Sequence, residues 1–407
     1  MSYEAALRVL ALDDEPFMLR LLKRALGQSR VAQVVTCGSA QRALQEMDHR
    51  EGPPDLIPLD LNMAEMDAVE FLHKLPDRHY TGVVILVSGE DERVPESVDR
   101  LVRAHGIKLL GQVRKPFQPE ALAARIEKWA LTDGDRRGVE RVPCGVNDLR
   151  TALANGELVN YYQPVVAVAS GDFVGVECLV RWRPPAGGLV FPDQFIGVAE
   201  KHGLIDELTS GMFSAAFAQA REWRDAGLTL QMAVNVSTDS LSRVGFPDLV
   251  TSYATAAGVP PESVILEVTE SRLTDNLAAA LDVFNRLRLR RLRLAIDDFG
   301  TGHSSLAERR ASPFDQLKID RSFVHGAATD AKRRAIYGGA LALGKELQLE
   351  VVAEGVEDRT DWDFLLRTGC TLAQGCFIGK PMPAEEIVGW LAKWTMRLSK
   401  ESLLSPS

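Results

Sequence analysis

The feature that most constrains this chain is an alternation of short apolar runs with amphipathic stretches, which occurs in two series along its 407 residues. In the first series the apolar runs are residues 7–12, 31–36, 56–60, 83–87 and 109–113. Between the first two, residues 16–26 place Leu19, Leu22, Lys23 and Leu26 at helical spacing behind Pro16, a residue favoured at helix starts. Five strand–helix units of this kind predict an open, doubly wound parallel sheet with helices on both faces, the last helix near 119–130. Residues 131–146, with Thr132-Asp133-Gly134-Asp135-Arg136-Arg137-Gly138 and Pro143, interrupt the pattern and predict a polar linker. A second series has strand signals at 159–168, 173–182, 230–236, 264–268, 292–298, 314–319, 349–353 and 372–374. Eight such signals separated by helical patterns, over about 250 residues, predict a closed TIM-like (β/α)8 barrel. The predicted organisation is therefore an α/β domain at 1–131, a linker at 132–146, a barrel at 147–397 and a Ser-rich flexible tail at 398–407.

Composition narrows the functional classes. With 47 Lys and Arg against 56 Asp and Glu, the net charge of -9 argues against sequence-blind binding to nucleic acid, and no DNA partner is expected. Cys37, Cys144, Cys178, Cys370 and Cys376 are scattered and form no CxxC pair, which disfavours a disulfide framework or a thiolate zinc site. A reducing, cytoplasmic setting fits best. The N-terminus lacks a signal-peptide pattern and no apolar run reaches membrane-spanning length, so no membrane partner is expected.

In the first series, polar residues gather at strand ends, where open α/β sheets bind ligands. Asp13 and Asp14 follow the first run, Asp60 ends the third, Ser88 follows the fourth and Lys115 follows the fifth. Singly, each reads better as a helix cap or a solvated turn than as a functional group. Together, three carboxylates repel one another and require a cation, and hard oxygen donors select magnesium. A lysine and a hydroxyl beside them suit a phosphoryl group, with Asp60 as the nucleophile that forms an acyl phosphate. On Leu12-Asp13-Asp14-Glu15, Leu59-Asp60-Leu61-Asn62-Met63, Val87-Ser88-Gly89 and Arg114-Lys115-Pro116-Phe117, this segment resembles the receiver domains of two-component response regulators. The resemblance implies a flavodoxin-like, CheY-like fold, one Mg2+ in the pocket, and a cognate sensor histidine kinase as partner. Three positions depart from the family pattern: Ala64 and Ala68 replace a usual Pro and Gly, and Gln112 replaces the aromatic switch residue.

The second series carries its polar residues toward the C-terminal strand ends, where barrel chemistry sits. They are Glu177, Asn235, Glu267 and Glu270, Asp297 and Asp298, Lys318 and Asp320, Glu354 and Glu357, and Gln374. Carboxylates clustered there do not stay ionised together without metal. The donors are all oxygen, which selects magnesium or manganese over zinc or copper. Adjacent Asp297 and Asp298 suit a carboxylate bridging two ions about 3.5–4 Å apart, an arrangement for in-line phosphoryl displacement by water. Lys318, beside two cations, is expected to have a depressed proton affinity and to orient or deprotonate that water. Arg181 has the fork geometry for a phosphate oxygen.

About residues 148–394 resemble EAL-type phosphodiesterases of cyclic di-GMP. The motifs are Glu177-Cys178-Leu179-Val180-Arg181-Trp182, Val234-Asn235-Val236-Ser237, Glu267-Val268-Thr269-Glu270-Ser271, Asp297-Asp298-Phe299-Gly300-Thr301-Gly302-His303-Ser304-Ser305, Leu317-Lys318-Ile319-Asp320, Ala353-Glu354-Gly355-Val356-Glu357 and Gln374-Gly375-Cys376-Phe377-Ile378-Gly379-Lys380-Pro381. The resemblance implies opening of the cyclic dinucleotide to linear pGpG with two Mg2+ or Mn2+ ions. It assigns metal ligation to Glu177, Asn235, Glu267, Asp297 and Asp298, water activation to Lys318 and Glu354, and substrate contact to Gln163, Arg181, Asp320 and Gln374. Glu270 reads either as a helix cap near Ser271 or as a catalytic residue that fixes the Gly-bearing loop 299–305. A homodimer or higher homo-oligomer is also implied. Cys178 replaces the alanine of the naming motif and His303 a common tyrosine, and neither change removes a ligand. The combined reading is a response regulator that hydrolyses cyclic di-GMP under control of receiver phosphorylation. The alternative is a catalytically weak module that binds the dinucleotide for signalling.

Overall fold

The structure, a computed structural model, describes residues 7–27, 31–48, 54–63, 66–75, 78, 80, 82–89, 107–115, 117–119, 122–123, 126, 145–185, 187–241, 243, 245–269, 277–300 and 313–404. The chain divides into two compact units, Met1–Glu140 and Arg141–Ser407. Among the described residues no helix is long and apolar enough to cross a membrane.

In the first unit, β1 (Leu7–Leu12), β2 (Val31–Cys37), β3 (Leu56–Asp60), β4 (Val83–Ser88) and β5 (Lys108–Arg114) form a parallel sheet in the order β2-β1-β3-β4-β5. β3 and β4 are buried throughout, as strands covered on both faces must be, and this is why they read as unbroken apolar runs. Alternate residues feed two cores. Leu10, Ile57, Leu59, Val84 and Leu86 pack on one face, and Val9, Leu56, Ile85 and Val87 on the other. Helix α1 (Pro16–Gly27) buries Leu22, Ala25 and Leu26 in the second core. The predicted helix near 119–130 lies mostly outside the described residues, but Leu122 and Ile126 are buried in that same core. The chain leaves β1 toward β2 on one side and returns to β3 on the other. The carboxyl ends of β1 and β3 therefore border the crevice at the switch point.

The second unit is a closed barrel of β6 (Leu158–Ala167), β7 (Phe173–Trp182), β8 (Gln231–Asn235), β9 (Val264–Thr269), β10 (Arg293–Phe299), β11 (Gln316–Ile319), β12 (Glu350–Ala353) and β13 (Leu372–Gln374). The eight predicted runs each carry one of these strands. The regular (β/α)8 expectation is corrected at one strand: β6 pairs antiparallel with both β7 and β13, and the other neighbours pair parallel. The five residues between β6 and β7 cannot make the crossover of a dozen or more that parallel pairing requires, so the chain turns back as a hairpin.

Two boundaries also differ from expectation. The helix Val146–Ala154 begins at the last residue of the predicted linker. Residues 398–404 are not a loose tail: the last helix, Ile387–Lys400, runs past 398, and Leu403 is fully buried. Trp362 Nε1 donates to the Leu403 carbonyl at 2.6 Å, and Trp394 Nε1 donates to the Gly171 carbonyl at 2.8 Å, tying this helix to the β6–β7 hairpin. Apolar side chains among the serines anchor the segment.

The exits of β12 and β13 are also locked together. Val356 N–H donates to the Gln374 carbonyl at 3.1 Å, and Phe377 N–H to the Val356 carbonyl at 2.9 Å. A Cβ on Gly375 would lie 2.2 Å from Val356 N and 2.3 Å from Val356 O, so glycine is required by the close approach of two backbones. Gly375→Ala is expected to cost about 1–3 kcal/mol of barrel stability. Thermal unfolding of the variant measures this, and an unchanged midpoint would show that the two exits separate freely.

Candidate active site

Four carboxylates surround one lysine at the mouth of the barrel. Lys318, on β11 and 2% exposed, places Nζ 2.7 Å from Glu354 Oε1, 2.8 Å from Glu267 Oε1, 3.2 Å from Asp297 Oδ1 and 3.6 Å from Glu177 Oε2. These residues come from β7, β9, β10, β11 and the exit of β12, so neighbouring strands deliver them to one point.

Consecutive strand residues normally point to opposite faces. The Asp297-Asp298 pair escapes that rule because the β10–β11 register shifts between Ile296 and Phe299, and Asp298 adopts a left-handed conformation with φ 55°. Oxygens of Asp297, Asp298 and Glu354 then lie within 4.8 Å of one another.

Glu177 is held on both oxygens. Asn235 Nδ2 donates to Oε1 at 2.9 Å, and Gln374 Nε2 donates to Oε2 at 2.6 Å. Burial works to raise its pKa, but the Lys318 charge and these hydrogen bonds hold the carboxyl below the usual range. Glu267 and Glu354 go the other way: burial pushes both well up, the charges of Glu177 and Asp297 add to it, and Lys318 only partly offsets them. Burial, then the charges of Asp297 and Asp320, push Asp298 up to about 7. One ammonium cannot neutralise five carboxylates, and each uncompensated buried charge costs several kcal/mol. Glu267 Oε2 is moreover buried with no hydrogen-bond partner among the described residues. An all-oxygen cluster with excess negative charge and an orphaned acceptor fits a hard divalent cation.

The expectation for Lys318 concerns a site that holds two cations; without them the balance runs the other way. Burial works to lower its proton affinity, but the charges of Asp297, Glu177, Glu267 and Glu354 outweigh burial and raise it well above the ordinary value. In the absence of a cation the four carboxylates favour the charged form of Lys318.

The four predicted substrate contacts all engage protein groups. Arg181 is buried, donates from Nη1 to the Val180 carbonyl at 2.8 Å, and lies 5.0 Å from the Phe191 ring centroid. Asp320 caps the helix Arg321–Val324, accepting from Ser322 N–H at 3.0 Å. Gln163 donates to the Gly379 carbonyl at 3.1 Å and accepts from Gln374 at 2.9 Å. Glu357 lies 4.0 Å from Arg321 as an ion pair. Glu270 and residues 301–312 lie outside the described residues.

One positioning group escaped the sequence reading. Asp361, 1% exposed, accepts from His325 Nδ1 at 2.8 Å and from the backbone amides of Gly326 and Glu357 at 3.0 Å each. It joins the segment after β11 to the segment after β12, which carries Glu354. The Asp358-Arg359-Thr360-Asp361 helix start was a visible signal, since Asp358 caps Thr360 and Asp361. Asp361 spends its oxygens on these donors and reads as a structural clamp.

In the first unit, Lys115 Nζ lies 2.8 Å from Asp13 Oδ2 and 3.0 Å from Asp60 Oδ2. Asp13, Asp60 and Ser88 are buried and Asp14 is exposed, and oxygens of Asp13, Asp14 and Asp60 lie within 4.8 Å of one another. The five residues predicted for this pocket, Asp13, Asp14, Asp60, Ser88 and Lys115, thus stand on adjacent strand ends. Gln112 Nε2 donates to Ser88 Oγ, so the position expected to be aromatic is a polar neighbour of the pocket. Burial pushes Asp60 up to about 6, with the Asp13 charge adding and Lys115 opposing.

A barrel with one reversed strand and an acidic mouth, carried with an acidic crevice in a doubly wound sheet, defines a two-domain signalling protein. The EAL domain family matches residues 146–381, more than half the chain, and the response regulator receiver domain matches residues 9–127. The chain belongs to the EAL-domain family and carries a response regulator receiver domain ahead of its barrel. EAL domains are metal-dependent phosphodiesterases. The chain is 32% identical to cyclic di-GMP phosphodiesterase RocR of Pseudomonas aeruginosa, over 94% of this chain and 98% of that protein. It is 40% identical to bifunctional diguanylate cyclase/cyclic di-GMP phosphodiesterase MucR of the same species, over 61% of this chain and 36% of that protein. Among solved structures, the PaMucR phosphodiesterase in its c-di-GMP complex is 41% identical with a TM-score of 0.57, covering 60% of this chain and 98% of that chain. The cAMP- and cyclic-di-GMP-bound EAL enzyme Bd1971 is 27% identical with a TM-score of 0.57, covering 66% of this chain and 73% of that chain.

The raised Asp60 carboxyl has a consequence for stability. Below about pH 4 it is protonated in folded and unfolded chains alike, and its burial carries no charge penalty. As pH rises to about 6, the unfolded carboxyl ionises before the folded one and receiver stability falls. Asp60→Asn in magnesium-free buffer at neutral pH is expected to stabilise the receiver by about 1–3 kcal/mol. The difference between variant and parent should vanish toward the acid end of the window. Denaturant unfolding against pH measures it, and a pH-independent difference would remove Asp60 as the source.

Proposed function

We propose that this chain is a response regulator whose barrel hydrolyses cyclic di-GMP to linear pGpG, under control of Asp60 phosphorylation by a sensor histidine kinase. The observation that carries the reading is the cluster of Glu177, Glu267, Asp297 and Glu354 around buried Lys318 at the barrel mouth. A match over 94% of this chain to a cyclic di-GMP phosphodiesterase supports the choice of substrate.

Glu177, Asn235, Glu267, Asp297 and Asp298 are assigned as the holders of two Mg2+ or Mn2+ ions. Such ions would supply Lewis acidity and a bound water of lowered proton affinity. Asn235 directs its amide nitrogen to Glu177, which leaves its carbonyl oxygen for a cation. Glu354, which would be ionised once the ions are bound, is assigned to hold or activate the attacking water, and its pairing with Lys318 at 2.7 Å sets the direction of its carboxyl group. Lys318 keeps the neighbouring carboxylates in place and orients or deprotonates the water. Arg181, held against the Phe191 ring, binds a phosphate oxygen of the substrate. Asp320 accepts from a substrate donor through its second oxygen. Glu270 is assigned to fixing the loop after Asp298. A homodimer or larger homo-oligomer belongs to the same reading. In the receiver, Asp60 attacks the phosphoryl donor, Asp13 and Asp14 hold one Mg2+, and Lys115 with Ser88 neutralises and binds the phosphoryl oxygens.

Glu177→Gln and Asp297→Asn are each expected to lower turnover by roughly 100-fold or more. Calcium, with its looser geometry, should replace magnesium poorly. Chromatographic assay of pGpG formation checks both. Near-normal turnover in either variant refutes the metal assignment, and tight dinucleotide binding without hydrolysis by the parent chain favours the signalling-module alternative. Asp60→Asn should block phosphate incorporation from a small phosphodonor while basal hydrolysis stays measurable. Equal labelling of parent and variant would show that Asp60 is not the acceptor.

A further inference from the structure

The reversed strand β6 brings three side chains to one face. Its antiparallel register sets Gln163 directly across from Glu177 of β7, and Val165 across from Gln374 of β13. Opposed residues on neighbouring strands share a face, and residues two apart on one strand share it as well. Gln163, Gln374 and Glu177 therefore meet, and their hydrogen bonds form a continuous line.

Each amide has one permitted orientation. A carboxylate accepts and never donates, so the group that Gln374 turns to Glu177 Oε2 at 2.6 Å is its NH2. The second hydrogen of that NH2 goes to Gln163 Oε1 at 2.9 Å. This turns the NH2 of Gln163 outward, where it donates to the Gly379 carbonyl at 3.1 Å. The anchor is rigid: a Cβ on Gly379 would lie 2.7 Å from Trp390 Nε1 and 3.1 Å from Pro164 Cγ. Met382 and Tyr162 close the same corner with two backbone hydrogen bonds at 2.8 and 3.0 Å.

We infer that Gln374 is a positioning residue for Glu177, the middle of a two-amide relay that carries the rigidity of the Gly379 backbone to that carboxylate. Two observations separate this role from simple packing. Gln374 is 3% exposed, and its Oε1 is buried with no hydrogen-bond partner among the described residues. A methionine would fill that volume without burying an unmatched acceptor, so the amide is retained for what its NH2 does. The relay also meets Asn235 on the opposite oxygen of Glu177, so the carboxylate is fixed at both ends. A carboxylate fixed in advance loses little freedom when a cation arrives, which favours affinity.

This inference rests on Glu177 being a metal ligand, and the test separates the two claims. Two-domain chains carrying Asp13→Asn and Asp14→Asn, which removes both residues assigned to receiver magnesium, are compared with and without Gln374→Met. Magnesium binding is measured by calorimetry without substrate, and turnover of cyclic di-GMP is measured against magnesium concentration. In Gln374→Met the half-saturating magnesium concentration should rise about tenfold or more in both measurements. At saturating magnesium most of kcat should be recovered. Gln163→Met should shift the magnesium curve in the same direction but less, because Gln374 keeps its bond to Glu177. Arg181→Ala should give the opposite pattern, a raised KM with an unchanged magnesium curve. A Gln374→Met curve that coincides with the parent's, or a defect confined to KM, overturns the relay while leaving the metal assignment standing. A parent chain whose barrel binds no magnesium overturns both. If Gln374→Met fails to fold, Gln163→Met decides alone, and an unshifted magnesium curve in that variant overturns the proposal.

Discussion

Burial of Lys318 among carboxylates is the interaction on which the barrel mouth depends. A lysine at 2% exposure survives inside a protein when its charge is paired, and here four carboxylates from different strands lie within 3.6 Å of Nζ. The pairing is unequal. One ammonium stabilises one or two of these groups, so Glu177 is held ionised while Glu267 and Glu354 are pushed toward their neutral forms. A site built this way holds more buried negative charge than its lysine offsets, a balance that a bound cation would restore. Barrel closure makes the excess unavoidable, because neighbouring strands bring their ends to one point.

The reversed strand shapes the other side of the same site. A regular barrel strand at the β6 position would enter from the opposite end and present different residues at the mouth. The short hairpin after β6 turns the strand around, and the register that results faces Gln163 with Glu177. The exit of β13 is then clamped to the exit of β12 across Gly375, which ties the Gln374 side of the site to the segment that carries Glu354. Local backbone irregularities do comparable work elsewhere: the left-handed Asp298 turns a strand end into a pair of convergent carboxylates.

The receiver uses the same physics on a smaller scale. Lys115 bridges Asp13 and Asp60, and burial still leaves the Asp60 carboxyl at about 6. Beside it, Gln112 donates a hydrogen bond to Ser88, so a side chain on β5 meets the hydroxyl at the end of β4 through an amide.

Much of this was legible in the sequence, because the features concerned are local. Apolar runs bounded by turn residues marked every strand of both units, and oxygen donors at the ends of successive runs marked both acidic clusters, since a carboxylate at a strand end is visible residue by residue. Strand direction was not visible, because the run at β6 has the same composition whichever way it points and its reversal follows from the length of the turn after it. The number of carboxylates that converge on Lys318 was not visible either, because it is a property of closure. The Gln163–Gln374–Glu177 line joins residues up to 211 positions apart and exists only in the register of β13, β6 and β7. The sequence by itself determined which strands form and which donors they carry, through short-range patterning of apolar and polar side chains. Only the tertiary structure decided which of those donors share a proton, a cation or a hydrogen bond, because those energies depend on distances that barrel closure alone sets.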